Sequence, residues 1–451
     1  MRIASSLSFV VMLVGGLWLA GASAQTAPPA TPPATTAAPN QDVLGPFVVT
    51  GVTQERLPRI AILPSLSPDL EDVIVRGVVR RDFELTGLFD VIADSKAPSG
   101  MYGFTDPIDV EAWRKLGAEA IVKVAAQKKD ATQIQVLGLA YFLNVSKDPV
   151  YEKTIVVDKV DARVTAHRIT DALLGALTGR PGSFASQLTF SGKWARNRRA
   201  FLMDSDGNNL RALTDPADTA IAPAFGKPGH LLYLQSKNYL PFVLMDLDVR
   251  AGAATPVPVP FKTSIYSAAL NKDRSKLALA VSERGKSTIY VGNADGSAMK
   301  KVSSNELATR PVFSPSGKLA WVGGDPNQGS QRIWLDGKAI SPSGFSAASP
   351  TFCDTEDGIR LVYSVAVGND QQDLVIAGEN GQGMARLTQG QGSNSYPACS
   401  PDGRLLAFFS TRNKSPGIWL MSLKSFRVQQ LSTQTGESLS WAALPPVAGG
   451  P

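Results

Sequence analysis

Side chains that could perform metal or nucleophilic chemistry are scarce in this sequence. Its 451 residues include two cysteines and two histidines, too few for the Cys/His ligand sets of zinc sites. Residues 285–287 (Gly-Lys-Ser) resemble the end of a phosphate-binding loop, but Ala280 stands where the first glycine is required. Residues 204–209 resemble a calcium loop, yet Asn209 replaces its glycine. No Gly-x-Ser-x-Gly motif occurs. The sequence therefore predicts no catalytic, cofactor or metal site.

The histidines and cysteines are interpreted as structural residues. His167 falls on a predicted helix and His230 at a predicted turn, where packing or surface roles are typical. Cys399 occupies a position where related segments carry phenylalanine, so it is interpreted as a small core residue. Cys353 lies in the preceding segment. A disulfide requires Cα atoms within about 7 Å, and the sequence leaves open whether these two cysteines pair.

The composition indicates a folded chain rich in turns. Hydrophobic residues make up 43% of the sequence and the mean hydropathy is −0.02, which excludes a polytopic membrane protein. The 40 glycines and 31 prolines exceed average usage and favour many short strands joined by turns. Lys and Arg number 45 against 39 Asp and Glu. This modest excess does not demand a nucleic-acid partner, but it is compatible with a basic surface for an acidic protein.

The first residues have the features of an export segment. Arg2 precedes an apolar stretch, and Ala22-Ser23-Ala24 matches an A-x-A cleavage site. Residues 1–24 are therefore predicted to be a signal peptide. Residues 25–41, rich in Pro, Ala and Thr, are predicted to form an extended flexible segment, acting either as a spacer or as a tail that orders on a partner.

A repeat occupies the C-terminal part of the chain. Short apolar strands, each close to a Gly or Asp turn, recur at spacings of 41 to 46 residues, a period typical of four-stranded propeller blades. The six strands begin at residues 201, 243, 289, 333, 374 and 418. Asp-Gly turns between alternating strands favour hairpins. The sequence therefore predicts a six-bladed β-propeller over residues 183–444, followed by a tail at 445–451.

The repeat also predicts how the ring closes. Six copies of the third strand are present, but five copies of the first strand, so the first blade lacks one. Residues 439–442 (Leu-Ser-Trp-Ala) have the pattern of the missing strand. Pairing this segment with the first blade would close the ring and remove the exposed sheet edges of an open array.

Residues 42–182 have a different pattern. Apolar strands alternate with amphipathic helical segments in the order β-α-β-α-β-β-β-α. This order predicts an α/β domain with a mixed sheet. The fold class is therefore two domains: an N-terminal α/β domain and a C-terminal six-bladed propeller.

The N-terminal domain carries segments that resemble the TolB family of the Tol–Pal cell-envelope system. The segments are GVTQERLPRIAILP at 51–64, RRDFELTGLFDVI at 80–92, DVEAWRKLGAEAIVKV at 109–124 and HRITDALLGALTGRPGSFASQLTFS at 167–191. The closing SWAALPP at 440–446 resembles the family's final segment, which has Trp followed by Ser-Pro. Two features depart from the family: the Pro/Ala/Thr-rich extension, and Asn-Lys-Asp-Arg at 271–274 in place of a Ser-Pro-Asp-Gly turn.

The resemblance implies a periplasmic, non-enzymatic, monomeric interaction protein without a cofactor. It implies binding of Pal, the peptidoglycan-associated lipoprotein, at a mouth of the propeller, and of the inner-membrane protein TolA at the N-terminus. It places the protein at the outer membrane through protein partners and implies support of membrane integrity and of constriction during division.

Two sets of residues are candidates for these contacts. Loops just before the first strand of each repeat are expected to line the mouth, and they contain Ile221, Ala222, Ser264, Tyr266, Ser267, Thr309, Arg310, Ala348, Ser349, Ser395 and Tyr396. The N-terminal arm offers apolar side chains, namely Val43, Leu44, Phe47, Val48 and Val49. An alternative for the arm is that residues 47–49 form the first strand of the α/β domain, with the Pro-rich stretch serving as a tether.

Two other functional classes remain open. A secreted propeller enzyme, such as a lyase or glycosidase, would need acids and histidine clustered at one mouth. A generic scaffold propeller would have no Pal partner. A neighbouring gene for a peptidoglycan-binding lipoprotein would favour the Tol–Pal interpretation over the scaffold.

Overall fold

A computed structural model describes residues 56–64, 69–100, 102–146, 148–324, 330–368 and 370–446. The expected signal peptide, the Pro-rich segment and the apolar arm lie outside these residues. Within the described ranges, none of the helices has the length and apolar character needed to cross a bilayer.

The N-terminal domain is an α/β domain with a mixed sheet, as predicted. Its five strands have the order β2-β1-β3-β4-β5; β1 runs parallel to β2 and β3, and the remaining pairs are antiparallel. The elements are β1 (Arg59–Ile62), α1 (Leu70–Thr86), β2 (Asp90–Val91), α2 (Val110–Lys115), β3 (Ala120–Lys128), β4 (Gln133–Phe142), β5 (Tyr151–Asp158) and α3 (Ala162–Thr178).

Both faces of this sheet are covered. Ile60 and Ile62 in β1 belong to the core that contains α1 and α3, while Ala61 and Leu63 belong to the core around Trp113 of α2. This alternation follows from the two-residue period of a strand. The sheet thereby fixes α1 and α3 together on one face.

The C-terminal domain is a propeller of six four-stranded antiparallel sheets. The first strands of successive blades contact one another around the ring, and the six predicted apolar segments lie in the third strands. Blade 1 contains β6 (Ser186–Trp194), β7 (Asn197–Asp204) and β8 (Arg211–Ala212); blade 2, β9 (Thr219–Phe225), β10 (His230–Ser236), β11 (Val243–Asp248) and β12 (Ala253–Pro256); blade 3, β13 (Ile265–Leu270), β14 (Lys276–Glu283), β15 (Lys286–Asn293) and β16 (Lys300–Lys301); blade 4, β17 (Thr309–Phe313), β18 (Leu319–Gly324), β19 (Gln331–Leu335) and β20 (Lys338–Ala339); blade 5, β21 (Ala347–Thr355), β22 (Gly358–Gly368), β23 (Gln371–Gly378) and β24 (Ala385–Arg386); blade 6, β25 (Asn394–Cys399), β26 (Leu405–Ser410), β27 (Gly417–Ser422) and β28 (Val428–Ser432).

The ring closes between the last strand and the first blade. Strand β29 (Glu437–Ala443) supplies the innermost strand of blade 1 and pairs antiparallel with β6, with Trp441 opposite Leu188. The Trp441 indole N–H also donates to Ser186 Oγ at 2.8 Å. The closure predicted from the count of repeated strands is confirmed.

The two domains share one hydrophobic core. Val75 and Phe83 of α1 and Ile169 of α3 belong to the same buried cluster as Phe190 of blade 1 and Phe409 of blade 6. The α/β domain therefore packs against one end of the propeller as part of a continuous structure.

Candidate functional site at the mouth of the propeller

The innermost strands define two ends of the propeller. The α/β side contacts the turn that follows β25, where Arg180 Nη2 donates to the Asp402 carbonyl at 2.7 Å and Ser183 Oγ to the Asp402 carboxylate at 2.9 Å. The innermost strands begin at the opposite end. We call that opposite end the mouth, and it faces away from the α/β domain.

The candidate mouth residues lie at this end, but within strands. The expectation that they belong to loops before the first strands was wrong for all of them except Ser264, which directly precedes β13. Ile221 and Ala222 lie in β9, Tyr266 and Ser267 in β13, Thr309 and Arg310 in β17, Ala348 and Ser349 in β21, and Ser395 and Tyr396 in β25. The innermost strands start earlier than the sequence pattern suggested because their pairing continues past an irregularity.

That irregularity is a β-bulge at the same place in every innermost strand. A bulge interrupts the hydrogen-bond ladder and changes the direction of the side chains. In four blades a proline follows the bulge residue, and proline lacks the N–H that a regular ladder would use. In five of the six blades the bulge contains a residue with left-handed backbone, at φ of 50° to 56°: Ala222, Arg310, Ser349, Tyr396 and Ser438. Ser438 of the closing strand was missed because leucine, rather than proline, follows it.

Two of the bulge residues meet at the mouth. The Arg310 guanidinium carbon lies 4.7 Å from the centroid of the Tyr396 ring, and Arg310 Nη2 donates to Tyr396 Oη at 3.1 Å. Arg310 belongs to blade 4 and Tyr396 to blade 6, so the two side chains reach each other across blade 5, which lies between these blades. The two side chains therefore extend inward, over the end of the channel.

Neighbouring groups hold this pair in place. The Arg310 backbone N–H donates to Ser267 Oγ of blade 3 at 3.0 Å. The Tyr396 ring packs edge-on against Phe409, with centroids 6.3 Å apart. Three of the predicted residues, Ser267, Arg310 and Tyr396, thus form one connected group. Ile221, Ala348 and Ser395 lie in other innermost strands or positions and are not part of this group among the described residues.

A buried polar network supports the start of β25. Asn394 Oδ1 accepts from Ser410 Oγ at 2.7 Å and from Arg412 Nη2 at 3.1 Å, and its amide donates to Asp373 Oδ1 at 3.3 Å. The Arg412 guanidinium also stacks 5.0 Å from the Phe408 ring. Burial lowers the pKa of Arg412 to about 10, so this side chain stays charged at neutral pH. These residues were missed in the sequence because their partners are distant along the chain.

The two cysteines form a disulfide between blades 5 and 6. Cys353 of β21 and Cys399 of β25 are bonded, with Cα atoms 5.4 Å apart. Cys399 packs against the buried cluster between these blades, as interpreted from the sequence, and the bond answers the question of pairing that the sequence left open. Cys353 and Cys399 occupy different positions within their repeats. They meet because β21 and β25, the innermost strands of adjacent blades, contact each other.

A second polar cluster joins the two domains. His167 Nδ1 and Asp82 Oδ2 lie 2.8 Å apart and both residues are buried. Burial opposes the imidazolium, but Asp82 and Asp206 outweigh it and raise the pKa of His167. Arg163 of α3 reaches blade 1, where its Nη2 donates to both Asp206 oxygens at 2.8 and 2.9 Å. His167, expected to be a packing or surface residue, is buried at this interface.

This cluster also has the spacing of a metal site. Asp82, His167 and Asp206 each offer a ligand atom within 4.8 Å of the other two. However, Asn208 donates to both Asp206 oxygens, through its backbone N–H at 3.0 Å and its amide at 2.9 Å. With Arg163, each Asp206 oxygen already accepts two hydrogen bonds, which uses its lone pairs. The arrangement fits an ion-pair network that joins the domains better than a cation site.

A family profile and several curated relatives share the TolB name. The sequence profile described as TolB amino-terminal domain matches residues 47–138. The chain is 27% identical over 239 residues to the Tol-Pal system protein TolB of Anaeromyxobacter dehalogenans strain 2CP-C, covering 51% of this chain and 52% of the relative. It is 28% identical over 211 residues to the same protein of Polaromonas naphthalenivorans, covering 45% and 46%. The chain thus matches about half the length of these curated relatives.

The fold comparison covers more of the molecule. The crystal structure of TolB from Acinetobacter baumannii aligns with a TM-score of 0.72 and 19% identity, over 87% of this chain and 98% of that one. At this identity the likeness shows the fold alone. Together with the matched domain and the curated relatives, it confirms the resemblance expected from the sequence: the chain carries a TolB amino-terminal domain, followed by a propeller with the fold of a solved TolB.

Proposed function

We propose that this chain is a periplasmic, non-enzymatic component of a Tol–Pal system that binds a Pal-like lipoprotein at the propeller mouth. In this role it acts as a monomer and supports outer-membrane integrity and constriction during division. The observation that carries the proposal is the convergence of Arg310 and Tyr396 over the channel end, in a chain that has a TolB amino-terminal domain.

The backbone at the mouth supports a binding role for these side chains. Arg310 and Tyr396 adopt φ of 50° and 51°, where glycine has no steric penalty and other residues are strained by roughly 1–3 kcal/mol. Large side chains are nevertheless present at these positions. Tyr and Arg are also enriched among residues that dominate binding energy. A role in contacting a partner explains why side chains are kept where glycine would relieve the strain.

The proposed location rests on the export segment and the disulfide, and the proposed second partner rests on the N-terminal arm. The export segment at 1–24 and the Cys353–Cys399 disulfide fit an oxidising compartment such as the periplasm. We further propose that the arm with Val43, Leu44, Phe47, Val48 and Val49 binds a TolA-like protein, by adding a strand to an exposed sheet edge of that protein.

The mouth proposal is tested by calorimetry with the soluble domain of the Pal-type lipoprotein encoded in the same genome. Thr309→Tyr adds bulk beside the Arg310 bulge, and Tyr396→Ala removes an aromatic contact worth about 2 kcal/mol at a binding hot spot. Both variants should weaken binding about ten-fold or more while keeping the cooperative melting transition of a folded chain. Arg250→Ala, at an exposed turn on the other end of blade 2, is the matched control. Wild-type affinity in both mouth variants would place the contact elsewhere.

The arm is tested separately. A chain that begins at Arg56 keeps the described α/β domain and propeller but lacks the arm. It should lose binding to the TolA-like protein and keep binding to the Pal-type domain. Retained binding to the TolA-like protein would exclude the arm as its site.

A further inference from the structure

Apolar and basic side chains are exposed together on the mouth end of blades 1 and 2. The hairpin between β6 and β7 presents Trp194 with 48% of its surface exposed, and the hairpin between β10 and β11 presents Tyr239 at 99% and Leu240 at 62%. Both hairpins join second to third strands, so both lie at the end where the innermost strands begin. We call Lys193, Trp194, Arg196, Lys237, Tyr239 and Leu240 the aromatic–basic patch.

The two hairpins form one surface because both rest on the connection between β8 and β9. On the blade 1 side, the Asn197 amide donates to the carbonyls of Pro216 and Ala217, each at 3.0 Å. On the blade 2 side, Gln235 Nε2 donates to the Asp218 carboxylate at 2.8 Å. Three consecutive residues of one connection therefore hold both hairpins.

The patch is continuous with the mouth. The Phe242 backbone N–H, at the end of the blade 2 hairpin, donates a hydrogen bond to Ser264 Oγ at 3.3 Å. Ser264 directly precedes β13, which contains the exposed Tyr266 and then Ser267, the acceptor for the Arg310 backbone N–H. A partner seated over Arg310 and Tyr396 would therefore meet a surface that extends outward to blades 1 and 2.

The charge of the patch is positive. Arg198 is paired with Glu437 at 3.3 Å and Lys237 with Asp218 at 3.6 Å. Lys193 and Arg196 are exposed and have no ion-pair partner among the described residues. Two uncompensated cations beside exposed Trp and Tyr side chains match the composition of binding surfaces, in which aromatic residues and arginine are enriched.

We propose that the aromatic–basic patch is an outer contact for the protein that binds at the mouth, and that this protein presents carboxylates around an apolar spot. The inference rests on the proposed function and extends it to blades 1 and 2. Carboxylates of the partner face Lys193 and Arg196, and its apolar spot covers Tyr239 and Leu240. A protein fits better than an anionic membrane, because the patch is continuous with the mouth through Ser264 and Ser267, where the proposed protein partner binds.

The test measures association and dissociation rates of the soluble Pal-type domain with the full mature chain at low and high salt. The variant Lys193→Glu/Arg196→Glu should lower the association rate roughly ten-fold at low salt and reduce its salt dependence, since surface charges mainly steer encounter. The variant Tyr239→Ala/Leu240→Ala should raise the dissociation rate roughly ten-fold. Arg250→Glu, an exposed arginine in a turn at the other end of blade 2, is the matched charge control and should leave both rates unchanged.

The outcomes separate the two proposals. If the wild-type chain binds the Pal-type domain and both patch variants bind within two-fold of it, the patch is not a contact and the mouth proposal stands. If the wild-type chain does not bind at all, both proposals fail. Vesicles of phosphatidylglycerol and phosphatidylcholine probe the other class of partner. Vesicle binding that the patch variants abolish, together with unchanged binding to the Pal-type domain, would overturn the protein assignment.

Discussion

Arg310 of blade 4 and Tyr396 of blade 6 meet at the propeller mouth, although blade 5 lies between their blades. The guanidinium lies 4.7 Å from the ring centroid and donates to the phenol oxygen at 3.1 Å. Each side chain starts from a strained bulge, and the Tyr396 ring is held by Phe409 of the adjacent β26. The pair therefore presents a fixed aromatic and cationic surface to anything that approaches the channel from this end.

The first prediction distinguishes the contribution of the Tyr396 ring to partner binding from that of its hydroxyl group. Tyr396→Phe keeps the ring under the guanidinium and its packing on Phe409, but removes the acceptor for Arg310. We expect the affinity for the Pal-type domain to fall less than about five-fold in this variant, and at least about ten-fold in Tyr396→Ala, because buried aromatic area dominates hot spots. Calorimetry gives both values. Equal losses in the two variants would mean that the hydroxyl group makes the decisive contact.

The second prediction concerns ring closure. A chain that ends at Gly436 lacks β29, which leaves the edge of β6 unpaired and the Trp441 contact with Ser186 absent. An open edge favours association with other chains, so this truncation should aggregate and melt at a much lower temperature. A chain that ends at Pro446 retains β29 and is the control. Light scattering and thermal melting compare them, and a monomeric Gly436 truncation with the melting temperature of the control would be the contrary result.

Local patterns in the sequence were sufficient to predict the blades. Alternating strands and Asp-Gly turns depend on neighbouring residues, and the missing first strand followed from counting repeats, which led to β29. The bulges were not predicted, because their left-handed residues are alanine, arginine, serine and tyrosine, none of which identifies such a conformation. The Cys353–Cys399 bond and the His167–Asp82 contact also escaped prediction. Both depend on which strands and helices become neighbours after folding, which no local pattern specifies.

The third prediction uses the bond between blades 5 and 6. Replacing both partners, Cys353→Ser/Cys399→Ser, removes a link across 46 residues of sequence. Loss of a disulfide of this kind typically costs about 2–4 kcal/mol of unfolding free energy. Chemical denaturation with and without reductant measures the effect. Reductant should destabilise the wild-type chain and leave the double variant unaffected, whereas equal stability of wild type and double variant would show that the blades hold together without the bond.

The fourth prediction concerns pH and the segment that joins the domains. The Asp171 carboxylate of α3 accepts the backbone N–H groups of Phe184 and Ala185 at 2.6 and 2.9 Å. Burial nevertheless raises the pKa of Asp171 from 3.8 to about 7. As pH rises from about 4 to about 7, the unfolded chain loses this proton before the folded chain does. Because the folded state then binds more protons, the stability contributed by Asp171 is present at low pH and falls across this window, by at most about 1.4 kcal/mol per pH unit for one group.

Asp171→Asn removes this titration. The raised pKa of Asp82, caused by burial, and that of His167 act in the same direction, so the variant should lose less stability than the wild-type chain between pH 5 and 7.5 without becoming independent of pH. Urea unfolding at several pH values measures the difference, and Asp357→Asn, at an exposed turn of blade 5, is the control that should follow the wild-type curve. A variant whose stability falls as steeply as that of the wild-type chain would show that Asp171 is ionised throughout this range, with its charge stabilised by the two backbone N–H groups rather than suppressed by burial.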